Sequence, residues 1–271
     1  MSPIRPFLHA AGAFGAAGAL VLLATPATAA DTATVSILHG VPDTPVDVYA
    51  NGEELIPDFQ PGTLTDPLQL PAGSYDLAIY PAGSDPASTQ PAASANDVSV
   101  PAGANATVVA HLTAEGAPIL TPFVNDVSAI PAGQARVTVR HTAAAPAVDV
   151  RAGGSPVVPG LTNPSEATLT VPAGTVNADV VLAGTDTVAI GPADLSLAEG
   201  ATTVVYAWGS EDAGYELAVQ TISGGHSSPS GVPGGTAGLI DDSLPMPVAA
   251  LSLAGLAAAG VGVLRLARTH G

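Results

Sequence analysis

The chain has 271 residues, 47% of them hydrophobic, with 23 acidic against six basic side chains and no cysteine. The missing cysteine removes disulfides, thiolate nucleophiles and cysteine-ligated zinc. A formal charge of −17 repels phosphate backbones and anionic headgroups, which excludes nucleic acid as a partner.

Residues 1–30 carry one early cation, Arg5, then an Ala/Gly/Leu/Val run through Leu23, then small residues ending Ala27, Thr28, Ala29, Ala30. This is the layout of a secretory signal peptide with an Ala-x-Ala cleavage site, so the mature chain is expected to begin near Ala30 or Asp31. All 23 acids lie between Asp31 and Asp242, where only Arg136, Arg140 and Arg151 oppose them. The exported part therefore carries −20 (three cations against 23 anions), a charge that favours solubility.

The middle of the chain is written twice. ATVSILHGVPDTPVDVYANG from Ala33 aligns with ARVTVRHTAAAPAVDVRAGG from Ala135, with eight of twenty positions identical, among them His39 with His141, Asp47 with Asp149 and Gly52 with Gly154. LQLPAGSYDLAIYPAG from Leu68 aligns with LTVPAGTVNADVVLAG from Leu169, and DVSVPAGANATVVAH from Asp97 with DLSLAEGATTVVYAW from Asp194. Three collinear blocks separated by small deletions mark a duplicated unit.

Within the first copy, short alternating runs at 34–39, 46–50, 64–70, 75–80, 97–100, 106–112 and 119–124 sit between Pro/Gly punctuation. They predict strands at the spacing of an all-β sandwich, and the second copy offers the same series. Pro-Ala-Gly at Pro71, Pro101, Pro131 and Pro172 predicts tight turns, with Pro presetting φ and Gly taking positive φ. The predicted layout is a first sandwich over 31–125, a linker over 126–134 and a second sandwich over 135–222. With so short a linker, the two are expected to sit end to end.

Residues 223–243 are rich in Gly, Ser and Pro and predict a flexible tether. Residues 248–264 carry no charge, and Leu244, Met246 and Leu266 extend the run to a predicted single transmembrane helix over 244–266. Arg265 and Arg268 follow, so the positive-inside rule places the tail, 267–271, in the cytoplasm and both repeats outside. Leu244-Pro245-Met246-Pro247 supplies only the Leu-Pro of a sortase signal, without the Thr-Gly that the transpeptidase cleaves, so cell-wall attachment through a nonstandard signal is the second reading.

The run from His39 through Tyr49 (HGVPDTPVDVY), followed by Leu70-Pro71-Ala72-Gly73-Ser74-Tyr75, resembles the signature of the domain-of-unknown-function 4397 family. The resemblance spans both repeats, roughly residues 33–222. It implies immunoglobulin-like β-sandwiches in a secreted or surface-anchored bacterial protein, and it implies no activity. The second copy departs from the pattern, with Ala144 and Ala145 in place of Pro42 and Asp43 and Arg151 in place of Tyr49. A role that needs Asp43 cannot operate in both copies.

His39 and His141 each precede an Asp by eight positions, which could form half of a general-base or metal site. No Ser, Cys or third ligand recurs beside them. The reading is therefore structural: each His ends a strand and bonds the following loop, and Asp47 and Asp149 fix turns. No calcium-loop pattern appears, and the pairs Glu53-Glu54 and Glu211-Asp212 read as solvated loop tips. Tyr49, Tyr75, Tyr80, Tyr206, Tyr215 and Trp208 could line a sugar-binding face, although Trp208 aligns with His111 and Tyr206 with Val109. The sequence thus predicts no catalytic, cofactor or metal residues. It describes a noncatalytic cell-membrane surface protein whose contacts are wall or extracellular protein, or glycan in the second reading.

Overall fold

The structure, a computed structural model, describes residues 32–224. The predicted signal peptide, nearly all of the tether, the apolar span and the tail lie outside the described residues. No helix among the described residues is long and apolar enough to cross a membrane.

Every regular element described is a strand. The first half comprises β1 (Thr32–Gly40), β2 (Val46–Ala50), β3 (Glu53–Phe59), β4 (Leu68–Pro71), β5 (Gly73–Pro81), β6 (Ala93–Val100), β7 (Asn105–Leu112) and β8 (Pro118–Val124). The second half comprises β9 (Gln134–His141), β10 (Val148–Ala152), β11 (Ser155–Leu161), β12 (Glu166–Pro172), β13 (Gly174–Leu182), β14 (Val188–Leu197), β15 (Thr202–Ser210) and β16 (Gly214–Ile222).

Each half builds two four-stranded sheets in the same order, β4-β1-β7-β8 over β3-β2-β5-β6 and β12-β9-β15-β16 over β11-β10-β13-β14. Even the registers repeat. Thr34 faces Asn105 across the parallel β1–β7 pair as Arg136 faces Thr202 across β9–β15. The bulge that sets Val48 against Ile56 recurs between Val150 and Val158. Within each half, Val, Leu, Ile and Ala from both sheets meet in one core: Val35, Ile37, Val48, Ile79 and Val108 in the first, Val137, Val139, Val150 and Val180 in the second. A core of this kind stabilises by roughly 1.5–3 kcal/mol per fully buried aliphatic side chain.

Strands β3 and β11 were not legible as strands, because β3 carries charge and proline and β11 carries two prolines and a glycine. Both lie at sheet edges, where a missing N–H costs no ladder bond and proline discourages pairing with another chain. The Pro-Ala-Gly expectation divides in two. At Pro101 and Pro131 a turn closes by a 3.1 Å bond from residue i+3, with Gly103 and Gly133 at φ 72° and 75°. Pro71 and Pro172 instead end β4 and β12, and the chain crosses within one residue to β5 and β13 in the opposite sheet.

The end-to-end arrangement is not what the structure contains. The outer faces of β4-β1-β7-β8 and β12-β9-β15-β16 pack on each other around a third core of Leu38, Val109, Phe123, Val204, Tyr206 and Trp208. Central strands β1, β7, β9 and β15 are consequently buried on both faces, whereas edge strand β12 alternates between half-buried and exposed. Both halves belong to one compact unit. The segment between them is pinned by Arg136, which donates to the carbonyls of Asp126 and Ser128 and pairs with the Asp126 carboxylate at 3.2 Å.

Arg140, 1% exposed, is the largest fully buried side chain of the seam. Its guanidinium lies 4.4 Å above the Phe123 ring, donates to Glu166 Oε2 at 2.7 Å and to the Tyr206 hydroxyl at 2.9 Å. Tyr206 donates to Gln220 Oε1, which also accepts from Thr107 across the seam at 3.0 Å. Arg140→Ala removes the cation, leaves Tyr206 and Glu166 short of a donor and opens a void; a loss of about 3 kcal/mol is expected, read as a lower urea midpoint.

Candidate functional site

The paired His and Asp residues are used alike in both halves. His39 stacks on Phe59 at 5.6 Å; its Nε2–H donates to the Thr44 carbonyl at 2.8 Å, and Nδ1 accepts from the Val41 N–H. His141 repeats the bond to the carbonyl of Pro146 at 2.9 Å, with Nδ1 buried and unpartnered among the described residues. Asp47 accepts from the N–H groups of Asp58 and Gly83, both at 2.8 Å, as Asp149 does from Gly160 and Gly184. Those two N–H bonds hold the Asp149 carboxyl below its usual range. Each half therefore spends its His on the loop after the first strand and its Asp on two loops at the end of the sandwich.

The tyrosines named as a sugar-binding face are scattered. Tyr49 and Tyr80 meet edge-on at 5.3 Å on one outer sheet. Tyr75 donates to the Pro71 carbonyl, and Tyr206 is fully buried in the seam. Tyr215 donates to the Ala144 carbonyl at 3.3 Å, and Trp208, with Glu216 of β16, borders a cleft.

The seam has approximate two-fold character. Thr107 meets Gln220, while their counterparts Val204 and Phe123 lie together in the seam core. His111 bonds the Leu112 carbonyl and the Thr121 hydroxyl of its own half, both at 2.8 Å, whereas its counterpart Trp208 covers Gly40, the residue equivalent to Thr142. A Cβ on Gly40 would lie 3.2 Å from Trp208 Cβ, and one on Gly62, which also has φ +76°, would lie 3.0 Å from the indole ring. Those glycines give the indole its space.

Symmetry fails at two places, both on the first half's side. Where Asn163 donates to the carbonyls of Leu112 at 2.8 Å and Ala143 at 2.6 Å, closing the seam, the equivalent position is Pro61. There a cleft of about 390 Å³ opens between Asp43, Pro45, Gln60 and Pro61 of the first half and Trp208 and Glu216 of the second. Similarly, Arg136 and Thr138 are matched by the smaller Thr34 and Ser36, which border a cleft of about 490 Å³ with Thr65, Asp66 and Gln220. Neither cleft is lined by a cation. No group of three His, Cys, Asp or Glu able to hold a metal occurs among the described residues.

Sequence reasoning missed the Trp208 cleft because its walls come from segments far apart in the chain. The one available signal was the departure of Pro42, Asp43 and Trp208 from their partners Ala144, Ala145 and His111.

A family profile described as a domain of unknown function (DUF4397) matches residues 33–151. It takes in the whole first sandwich and runs on through β9 into β10, stopping short of the extent to residue 222 expected from the motifs. Comparison with curated proteins gives no match. Among solved structures, the chain is similar to a Bacteroides uniformis protein provisionally called a cell adhesion protein. The identity is 12% and the TM-score 0.19, over 71% of this chain and 99% of that one.

Burial holds the His39, His111 and His141 rings below the ordinary 6.5, against the opposing pull of their bonds to backbone carbonyls. Unfolded, each ring takes a proton at 6.5, so their contribution to stability is complete above that pH and is lost as pH falls below it. The urea midpoint is expected to hold from pH 8 to 7 and to fall between 6.5 and about 5, with the fall reduced in His111→Gln.

Proposed function

We propose that the chain is a noncatalytic cell-envelope surface protein, presenting two immunoglobulin-like β-sandwiches as one rigid body for structural or adhesive contact. The observation that carries this reading is the mirrored use of His39 with His141 and Asp47 with Asp149 as backbone anchors, which leaves neither pair free for proton transfer or nucleophile activation. The parallel pairing of first and seventh strands in each four-plus-four sandwich supports the immunoglobulin-like assignment. Display outside the membrane rests on the sequence: a signal-type N-terminus, acids confined to 31–242, and an apolar run followed by Arg265 and Arg268.

A second reading, a carbohydrate-binding module, is favoured by one observation, the polar cleft against Trp208.

Surface display is tested in intact cells of the source bacterium carrying the full chain with an epitope inserted after Gly83, in the β5–β6 loop. Antibody labelling of unpermeabilised cells and recovery in the membrane fraction are expected, and truncation before residue 244 is expected to release the protein into the medium. Recovery of the full chain in the cytosol would overturn the proposal.

A further inference from the structure

We propose that the seam cleft beside Trp208 binds a neutral or amino-sugar residue of a glycan, held by Asp43, Gln60 and Glu216. The proposal rests on the second reading above and gives it a location. Its first support is the departure from symmetry. Register, bulges and anchoring bonds are duplicated between the halves, yet at this point one side is sewn shut by Asn163 and the other is open. On the open side stand the side chains that the second copy lacks, Pro42 and Asp43 against Ala144 and Ala145.

The lining has the chemistry of a polyol site. Carboxylates of Asp43 and Glu216 can each accept two hydrogen bonds from neighbouring hydroxyls. Gln60 commits its NH₂ to the carbonyl and carboxylate of Asp58, which fixes the side chain and leaves Oε1 as a further acceptor. Trp208 and the prolines at 42, 45 and 61 add apolar surface for the C–H face of a ring. Acceptors thus dominate, matching a ligand rich in donors. Two carboxylates without a cation disfavour sialic and uronic acids, and they suit the ammonium of an amino sugar.

A volume of about 390 Å³ is in the range of small-ligand sites. Both halves supply walls, so the site exists only while the seam is closed.

Trp208 is the single tryptophan of the chain, so emission excited beyond the tyrosine band reports on the seam at this cleft. The full chain is titrated with chitotriose, its deacetylated form, maltotriose and sialyllactose, beside a glycan array probed with the same protein. A saturable change in emission is expected with at least one of the first three and none with sialyllactose. Asp43→Asn and Glu216→Gln are each expected to weaken that binding about tenfold, the worth of a charge-assisted bond, with unchanged urea midpoints. Asp66→Asn in the other cleft is expected to leave it unaltered. Array binding that neither moves the emission nor responds to Asp43 and Glu216 would overturn the location while keeping the carbohydrate reading. Absence of binding to any glycan would overturn both.

Discussion

A buried guanidinium determines how this molecule is put together. Arg140 emerges from the outer face of β9, where a lone sandwich would show it to water, and instead lies over Phe123 of the other half at 1% exposure. Taking a cation out of water costs several kcal/mol unless its donors and charge are matched. Here Glu166, Tyr206 and the Phe123 ring supply the match, and Gln220 and Thr107 carry the bonding on into the first half. Satisfied in this way, the network favours one relative placement of the halves, since sliding one sheet over the other would strand several buried polar atoms together.

The same seam explains what the sequence could and could not show. The period-two pattern of β1, β7, β9 and β15 is real: Ala33, Val35 and Ile37 point into the first sandwich, and Ala135, Val137 and Val139 into the second. The duplication was equally legible, down to the His and Asp anchors. The alternate residues mix polar Thr107, His111, Arg140 and Tyr206 with apolar Leu38, Val109, Val204 and Trp208, and the polar ones on the far face of such a strand read as solvated. They are buried because a second sheet lies on them. No local pattern distinguishes a polar face in water from one whose partners sit about a hundred residues away. Strands β3 and β11 were obscured differently, since the prolines of both and the charge of β3, which protect a sheet edge, are signals that ordinarily argue against a strand.

Reciprocal contacts across the seam have the form of an isologous interface, in which a surface meets its own equivalent about a two-fold axis. Thr107 with Gln220 answers Val204 with Phe123. Fusion of both copies into one chain removes the constraint that binds a true homodimer, where every substitution appears twice. Arg140 can be long because its counterpart Leu38 is not another arginine, and Trp208 can be wide because Gly40 and Gly62 face it.

That freedom accounts for a cleft on one side alone. In a symmetric dimer, an open corner at Pro61 would be matched by a second one, and the polar surface so exposed would subtract twice from a seam that needs its buried area. With the copies joined, the second half's Arg136, Arg140 and Asn163 fill and bond their side of the interface, while the first half's Thr34, Ser36 and Pro61 leave theirs open. The closed side supplies cohesion and the open side supplies concave surface. A sandwich with short loops offers few hollows of its own: the two other cavities described, both in the second half, are apolar and of only 30 and 80 Å³. Packing two sandwiches imperfectly against each other therefore creates ligand-sized hollows where neither half alone encloses one.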